Sequence, residues 1–407
     1  MRSKTILFTL IVLFLSACGR SAPALEATPT QEVILISTPT VTSSPTFTPT
    51  ATETPSPTET PSPTPTFPPI DYGPVDFPSN VNPLTGFPVS DPTRLDRRPV
   101  AVKIQIFPRG QRPTFNISSA DIVYDFYQNF GLTRLHAIFY GEDAEQVGPI
   151  RSARILDGKL VRIYKSILAF GGADQRILNV ISNTDYGNRL FAEGSSSCPA
   201  MCRIDPNGFN YLVGNTREFQ TYATNRGVDN SRQNLDGMRF THQPPDGGRP
   251  GNQFYVRYSI SSYVRWDYDP QQNRYLRFQD AQEASTIQEE VYQPFIDISQ
   301  STETQVSADN VVVVYMTHQN HLGIPYGPNE IIDIQLDGSG DAFIYRDGQV
   351  YQVRWVVPER EARLVLFALD GTPFPFKPGK TWFQVVGEST SRSEASPGVW
   401  RYENHLP

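Results

Sequence analysis

The sequence predicts an α+β fold, with a mixed α/β first domain followed by a mainly antiparallel β second domain. Strand-like apolar runs occupy both halves of the chain, whereas the one clear helical pattern lies in the first half. A cluster of turn-forming residues at 243–251 (QPPDGGRPG) separates the two patterns. These observations predict a domain over residues 77–245 and a second over residues 250–390, followed by a tail at 391–407.

The first domain combines strands with one amphipathic helix. Apolar residues recur at helical spacing between Ile155 and Ile167, which places Lys159, Arg162 and Lys165 on the outward face. Residues 167–170 alternatively form a strand that ends at a Gly-Gly pair. Strands are predicted at 98–106, 121–127 and 135–140.

The second domain is predicted to consist mainly of strands. Asp347-Gly348 lies between two apolar runs and predicts a hairpin turn. Strands are predicted at 253–258, 264–268, 275–278, 310–315, 331–336, 342–345, 349–356 and 382–386. The aromatic residues of these strands either form cross-strand pairs in the core or stack on sugars; they include Tyr255, Tyr258, Tyr263, Trp266, Tyr268 and Tyr275.

The N-terminus predicts export and lipid anchoring. Two cations precede a short apolar run, which is typical of a signal peptide over residues 1–17. The run ends Leu-Ser-Ala-Cys, which resembles a bacterial lipobox and predicts a lipid on Cys18 at the extracytoplasmic face of the cell membrane. The alternative is an ordinary signal peptide with a chance cysteine.

Residues 18–76 are predicted to form a disordered tether. They are dominated by Thr, Pro and Ser, and such a segment buries too little apolar surface to offset its ordering entropy. The Pro-rich part, from about Ala22 to Pro69, is a spacer of roughly 50 residues that reaches roughly 150 Å when extended at ~3.1 Å per residue. The tether either carries O-linked sugars or is a plain linker.

Composition and spacing exclude several function classes. The net charge of −7 argues against nucleic-acid binding, which needs a basic surface. The 5 His are scattered and predict no metal site, and the sequence contains no nucleotide-binding or nucleophile-elbow motif, so no cofactor is expected. Cys198 and Cys202, four residues apart in an exported protein, predict a local disulfide rather than a nucleophile.

Several segments together resemble the YerB-like lipoprotein family. They are residues 82–86 (NPLTG), 98–102 (RPVAV), 120–124 (ADIVY), 131–134 (GLTR), 148–154 (GPIRSAR), 310–313 (NVVV) and 378–382 (PGKTW). The resemblance spans roughly residues 80–390 and implies a surface lipoprotein with paired N- and C-terminal domains of unassigned function. Members often carry a His shortly before the Gly-Gly pair, whereas residues 169–174 (AFGGAD) contain none.

The most specific of these segments, residues 148–154, is the best candidate for a binding site. A Gly-Pro turn is predicted to lead into a helix whose first turn carries Arg151, Ser152 and Arg154, and helix N-termini favour anions. We expect these residues to lie near Arg134 and Asp174 on a concave surface. Alternatively, Arg151 or Arg154 forms an internal ion pair with Asp121 or Asp174.

The leading functional hypothesis is a binding or scaffold module of the cell envelope. Its ligand is an anionic cell-wall glycan, a peptide or a protein partner, held by Arg134, Arg151 and Arg154. The rival hypothesis is an envelope hydrolase or transferase with Asp121, Asp125 or Asp174 as acid or base.

Overall fold

The computed structural model describes residues 71–205, 211–323, 327 and 329–405. The predicted signal peptide, Cys18 and the tether up to residue 70 lie outside the described residues. The described residues all belong to one compact unit. Its described residues contain three α-helices, namely α1 (Ile155–Tyr164), α2 (Gln175–Ser182) and α3 (Thr216–Asn225).

Strands outnumber helices throughout the described residues, so the fold is β-rich. The strands up to residue 245 are β1 (Val81–Asn82), β2 (Phe87–Pro88), β3 (Val100–Gln105), β4 (Thr114–Phe115), β5 (Ile122–Asn129), β6 (Leu132–Phe139), β7 (Ile167–Phe170), β8 (Leu190–Ala192), β9 (Met201–Arg203) and β10 (Leu212–Gly214).

The strands after residue 245 are β11 (Arg249–Pro250), β12 (Gln253–Arg257), β13 (Tyr263–Asp269), β14 (Arg274–Asp280), β15 (Tyr292–Pro294), β16 (Ile296–Ser299), β17 (Thr302–Gln305), β18 (Ser307–Ala308), β19 (Asn310–Met316), β20 (His318–Asn320), β21 (Ile332–Ile334), β22 (Gly338–Arg346), β23 (Gln349–Val357), β24 (Val365–Phe367), β25 (Thr381–Gly387), β26 (Ser391–Ser396) and β27 (Val399–Glu403).

One large sheet joins the two halves of the chain. Its strand order is β11-β23-β22-β19-β25-β5-β6-β3-β7-β8, with β24 beside β23. The junction is a parallel pair in which β25 lies against β5, with Trp382 opposite Val123. The two domains predicted from the sequence therefore share one sheet. Within it, Asp347 and Gly348 take positive φ angles of 53° and 73° between β22 and β23, which confirms the predicted hairpin turn.

Side chains that alternate along the strands of this sheet build two cores, one on each face. On β5, Tyr124 and Phe126 belong to the core that contains Leu156 and Leu160 of α1. Val123, which directly precedes Tyr124, belongs to the core that contains Trp266 of β13. Successive side chains of a strand point to opposite faces, so the large sheet lies between helix α1 and a second sheet.

The second sheet has the order β15-β14-β13-β12-β27-β26, with β18 beside β14. The prediction of a tail at residues 391–407 is wrong for 391–403, because β26 and β27 belong to this sheet and Trp400 and Tyr402 are buried. Of the aromatic residues considered for sugar stacking, four are buried in the core and two are half-buried. The buried four are Tyr258, Tyr263, Trp266 and Tyr275.

Helix α1 is buried on almost every side, which corrects the amphipathic prediction. Arg162 is buried and pairs with Asp337 instead of pointing outward. Lys159 is half-buried and pairs with Asp333 at 2.5 Å. The helix ends at Tyr164 because Lys165 takes a left-handed conformation, and residues 167–170 form β7. The strand alternative for 167–170 is therefore correct.

Two further predictions concern the start of the unit and the cysteines. Tyr72 pairs with Phe240 through hydrogen bonds of 3.2 and 2.8 Å, so residue 72 belongs to the folded unit and not to the tether.

Cys198 and Cys202 are joined by a disulfide with a Cα–Cα distance of 5.0 Å, as predicted.

Candidate functional site

Residues 148–154 form an extended segment that runs alongside the sheet before α1 begins. The Arg151 N–H donates to the Lys103 carbonyl at 2.8 Å, and the Ala153 N–H donates to the Gly172 carbonyl at 2.9 Å. The prediction that Arg151, Ser152 and Arg154 occupy the first helical turn is wrong, because Arg154 is the N-cap and the helix starts at Ile155.

The N-terminus of α1 is capped by a side chain of the helix itself. Asp157, in its first turn, accepts a hydrogen bond from the Arg154 N–H at 2.6 Å. An acidic side chain at this position also complements the helix dipole. Any anion site in this region therefore depends on the arginine side chains and not on free helix amides.

Arg134, Arg151 and Arg154 lie together, and we call them the arginine cluster. All three are half-buried and so remain in contact with solvent. Arg134 Nη1 donates to the Ser152 carbonyl at 3.0 Å, which brings β6 to the extended segment. Arg151 Nε donates to Gln105 Oε1 at 2.5 Å, and Gln105 lies opposite Arg134 in the sheet.

Arg154 completes the cluster through neutral partners. Its Nη1 donates to the Ala153 carbonyl at 2.9 Å and its Nη2 to Asn129 Oδ1 at 3.3 Å. Within the described ranges, neither Arg134 nor Arg154 has a carboxylate within 4.0 Å. The structure thus brings together the predicted arginines, and no described carboxylate pairs with the guanidinium of Arg134 or Arg154.

The neighbouring guanidiniums and partial burial affect the pKa of Arg134. Burial, together with the like charges of Arg154 and Arg151, lowers the pKa of Arg134 to about 9, while Asp157 opposes the shift. A guanidinium is ordinarily charged at any physiological pH. Lowering its pKa means that the charged form is destabilised here, and a bound anion would relieve that cost.

A buried triad of Lys103, His136 and Asp157 lies against the cluster, and all three side chains are 0% exposed. Asp157 Oδ1 is 3.2 Å from Lys103 Nζ and 2.8 Å from His136 Nδ1. Burial lowers the pKa of Lys103 to about 7; Asp157 opposes this shift, and Arg134 and Arg154 increase it. Burial likewise lowers the pKa of His136, although its hydrogen bond with Asp157 opposes the shift.

Sequence reasoning missed this triad. Lys103 and His136 lie opposite each other on neighbouring strands and point to the face that α1 covers. The available signal was a lysine inside an apolar strand run and an aspartate in the first turn of the following helix. Their meeting depends on how α1 packs on the sheet, which local patterns do not specify.

Asp174 lies near the cluster but has its own partner. It caps α2 by accepting from the Arg176 N–H at 2.9 Å, and it pairs with Arg176 Nη2 at 2.7 Å. Arg154 contributes to lowering the pKa of Asp174 to about 2, although the hydrogen bonds from Arg176 are the main cause. The predicted proximity of Asp174 is thus present without a direct ion pair to Arg154.

The other two candidate acids are buried and held by different groups. Asp121 accepts hydrogen bonds from Asn82 Nδ2 at 3.0 Å, the Tyr140 N–H at 2.6 Å and the Gly141 N–H at 3.0 Å. Burial raises the pKa of Asp121 to about 6 against the effect of these amides. Asp125 forms a fully buried ion pair with Arg277 at 2.8 Å.

A cleft of about 1050 Å³ lies elsewhere on the unit. It is lined by the loop residues Asn116 and Asp143, by Arg217 of α3 and by Ser299 of β16, among others, and the arginine cluster does not line it. The described residues contain no group of three or more His, Cys, Asp or Glu side chains able to hold a metal ion. No helix among them has the length and apolar character needed to cross a membrane.

Comparisons with known proteins give one consistent relationship. Residues 84–229 match the family model described as "Protein of unknown function (DUF3048) N-terminal domain", and residues 254–383 match its C-terminal domain. YerB of Bacillus subtilis (strain 168), which is named as a lipoprotein, is 28% identical over 323 residues, covering 76% of this chain and 87% of YerB.

The fold is also shared with a solved structure. The crystal structure of the YerB protein from Bacillus subtilis superimposes with a TM-score of 0.59 at 24% sequence identity. The superposition covers 75% of this chain and 96% of that chain. The β-rich architecture described above is therefore similar to one observed experimentally.

Proposed function

Because the chain belongs to the YerB-like lipoprotein family, we propose that it is a membrane-anchored binding module whose arginine cluster holds an anionic ligand of the cell envelope. The lipid on Cys18 anchors the chain at the extracytoplasmic face. The Thr/Pro/Ser-rich tether then carries the folded unit away from the membrane. The ligand is a cell-wall glycan, a peptide or a protein partner that presents negative charge.

The observation that carries the proposal is that Arg134 and Arg154 lie next to each other and, among the described residues, have no carboxylate within 4.0 Å. Two other enclosed arginines pair with carboxylates: Arg277 with Asp125 at 2.8 Å, and Arg112 with Asp280 at 3.1 Å. The buried Arg363 instead donates to the Ile163 carbonyl at 2.7 Å. In the described part of the chain, Arg134 and Arg154 have only neutral acceptors. Partial removal of these guanidiniums from water without a paired counter-charge costs free energy, and a ligand anion would supply that counter-charge.

The alternative, an envelope hydrolase or transferase, receives less support. An acid or base must reach a substrate. Asp121 is 5% exposed and accepts three hydrogen bonds, and Asp125 is 0% exposed and paired with Arg277. Asp174 is exposed but is engaged by Arg176.

The proposal is tested by binding to isolated cell-envelope material. The mature lipoprotein in neutral detergent is mixed with washed envelope fragments, and the bound fraction is measured by sedimentation. Each charge-assisted hydrogen bond contributes about 1.5–3 kcal/mol, so Arg134→Gln and Arg154→Gln should each weaken binding by about 10- to 100-fold.

The matched control is Arg354→Gln, which removes an arginine whose side chain is 48% exposed and already paired with Asp341. This control should bind as the unchanged protein does. Equal binding by all variants, with unchanged thermal unfolding, would overturn the assignment of the ligand to the arginine cluster.

A further inference from the structure

We infer that the arginine cluster selects a phosphoryl ligand carrying at least two negative charges, such as a pyrophosphate or a phosphodiester chain, over a single carboxylate. This inference rests on the proposed anion-binding function and specifies the chemical class of the ligand. It follows from the charges of the cluster, from its hydrogen-bond donors and from the buried lysine beside it.

The charges of the cluster require more than one negative charge. Among the described side chains, the single carboxylate within ion-pair distance of Lys103 is Asp157, at 3.2 Å. Asp174 is engaged by Arg176. Asp157 and Asp174 act on the two arginines only from beyond ion-pair distance. Among the described side chains, no carboxylate therefore pairs directly with Arg134 or Arg154, and one ligand carboxylate would neutralise half of the charge of these two guanidiniums.

The donors of the cluster require several acceptor oxygens. A guanidinium has five N–H donors in a planar fork. In the described part of the structure, Arg134 uses one donor, on the Ser152 carbonyl, and the side chain of Arg154 uses two. One fork saturates the two oxygens of a carboxylate, whereas a phosphoryl group offers additional oxygens to a second fork.

Lys103 provides a further source of positive charge directly beside the cluster. The groups that face it are Asp157 on α1, His136 and Arg134 on β6, Arg154 before α1, and the Phe126 ring on β5, 3.7 Å from Nζ. Because its pKa is about 7, part of the Lys103 population is neutral near neutral pH. An anion that offsets the charges of Arg134 and Arg154 favours protonation of Lys103, so binding should take up protons.

The experiment is isothermal titration calorimetry of the mature lipoprotein in neutral detergent with pyrophosphate, inorganic phosphate and acetate at pH 7.5. We expect affinity to decrease in that order, with pyrophosphate binding at least about tenfold more tightly than acetate. Arg134→Gln and Arg154→Gln should each weaken pyrophosphate binding about tenfold or more, and the control Arg354→Gln should not.

Proton uptake is measured by repeating the titration in buffers of different ionisation enthalpy. The observed enthalpy should depend on the buffer for the unchanged protein and should lose most of that dependence in Lys103→Met, provided that this variant shows a normal unfolding transition. Lys103→Met tests only whether anion binding is coupled to protonation of Lys103. The class of ligand is tested independently by the affinity ranking of the three anions and by the arginine variants.

Two results would overturn the inference. Acetate binding as tightly as pyrophosphate through the same arginines would exclude phosphoryl selectivity and leave the proposed anion binding intact. If pyrophosphate does not bind while envelope fragments still bind through Arg134 and Arg154, phosphoryl selectivity is likewise excluded and the proposed anion binding is left intact. If neither the fragments nor the anions respond to the arginine variants, the proposed function fails as well.

Discussion

Replacing Arg277 with methionine should strongly destabilise the folded unit. The Arg277 and Asp125 side chains are both 0% exposed and lie 2.8 Å apart. The Arg277 guanidinium also lies over the Trp382 ring, with Cζ of Arg277 4.4 Å from the ring centroid. Arg277→Met leaves the Asp125 carboxylate buried without its cation, and breaking such a pair costs about 3–5 kcal/mol.

This free energy converts into a measurable shift of the unfolding temperature. With about 2.1 cal/mol/K of unfolding entropy per residue, a unit of about 335 residues has an unfolding entropy of about 0.7 kcal/mol/K. A loss of 3–5 kcal/mol therefore lowers Tm by about 4–7 °C. Differential scanning calorimetry at neutral pH measures it directly.

Two comparison variants make the interpretation specific. Arg354→Met removes an exposed arginine paired with Asp341 at 3.3 Å, and it should shift Tm by less than about 1.5 °C because surface pairs contribute about 0–1 kcal/mol. The double variant Asp125→Leu/Arg277→Met removes both charges and should recover part of the loss. A Tm of Arg277→Met within 1 °C of the unchanged protein, a margin of about 0.7 kcal/mol, would refute the reasoning.

Three further outcomes are expected. Burial lowers the pKa of Lys103 to about 7, whereas an unfolded lysine titrates near 10.4. Between these pH values the unfolded chain binds more protons than the folded chain, so Tm should rise with pH above 7. Lys103→Met should flatten that rise, and an unchanged pH profile in this variant would argue against the buried lysine as its cause. Cys18→Ala should release the protein from the membrane fraction or leave it unprocessed; continued labelling with a fatty-acid analogue would show that the anchor lies elsewhere. Mass spectrometry of the unreduced exported protein should show Cys198 and Cys202 linked, and two free thiols would contradict the structure.

Local patterns predicted the elements whose causes are local. The helix beginning at Ile155, the strand at Ile167–Phe170 and the turn at Asp347-Gly348 all follow from periodicity or turn chemistry within a few residues. The disulfide between Cys198 and Cys202 likewise closes a short segment. In each case the interaction that determines the structure joins residues that are close in the sequence.

Long-range pairing accounts for what the sequence did not predict. The shared sheet depends on β25 lying against β5, with Phe383 opposite Tyr124, and no local pattern encodes that partner. The sequence predicts a tail after residue 390, whereas Trp400 and Tyr402 are core residues because β27 pairs with β12. Burial of Arg162 similarly depends on the packing of α1 against its surroundings.

The sequence predicts only part of the candidate site, because some of its contacts join segments that are distant in the chain. Arg134, Arg151 and Arg154 were expected to lie together, and a hydrogen bond from Arg134 to the Ser152 carbonyl joins their two segments. The expected role of the helix N-terminus was wrong, because Asp157 already occupies it. The concave surface expected around the cluster stays a prediction.

A crystal structure of the protein grown with pyrophosphate tests the central claim most directly. The account predicts pyrophosphate oxygens about 2.7–2.9 Å from guanidinium nitrogens of both Arg134 and Arg154. Pyrophosphate bound only at another place on the unit, or a carboxylate of the chain itself paired with both arginines, would contradict it.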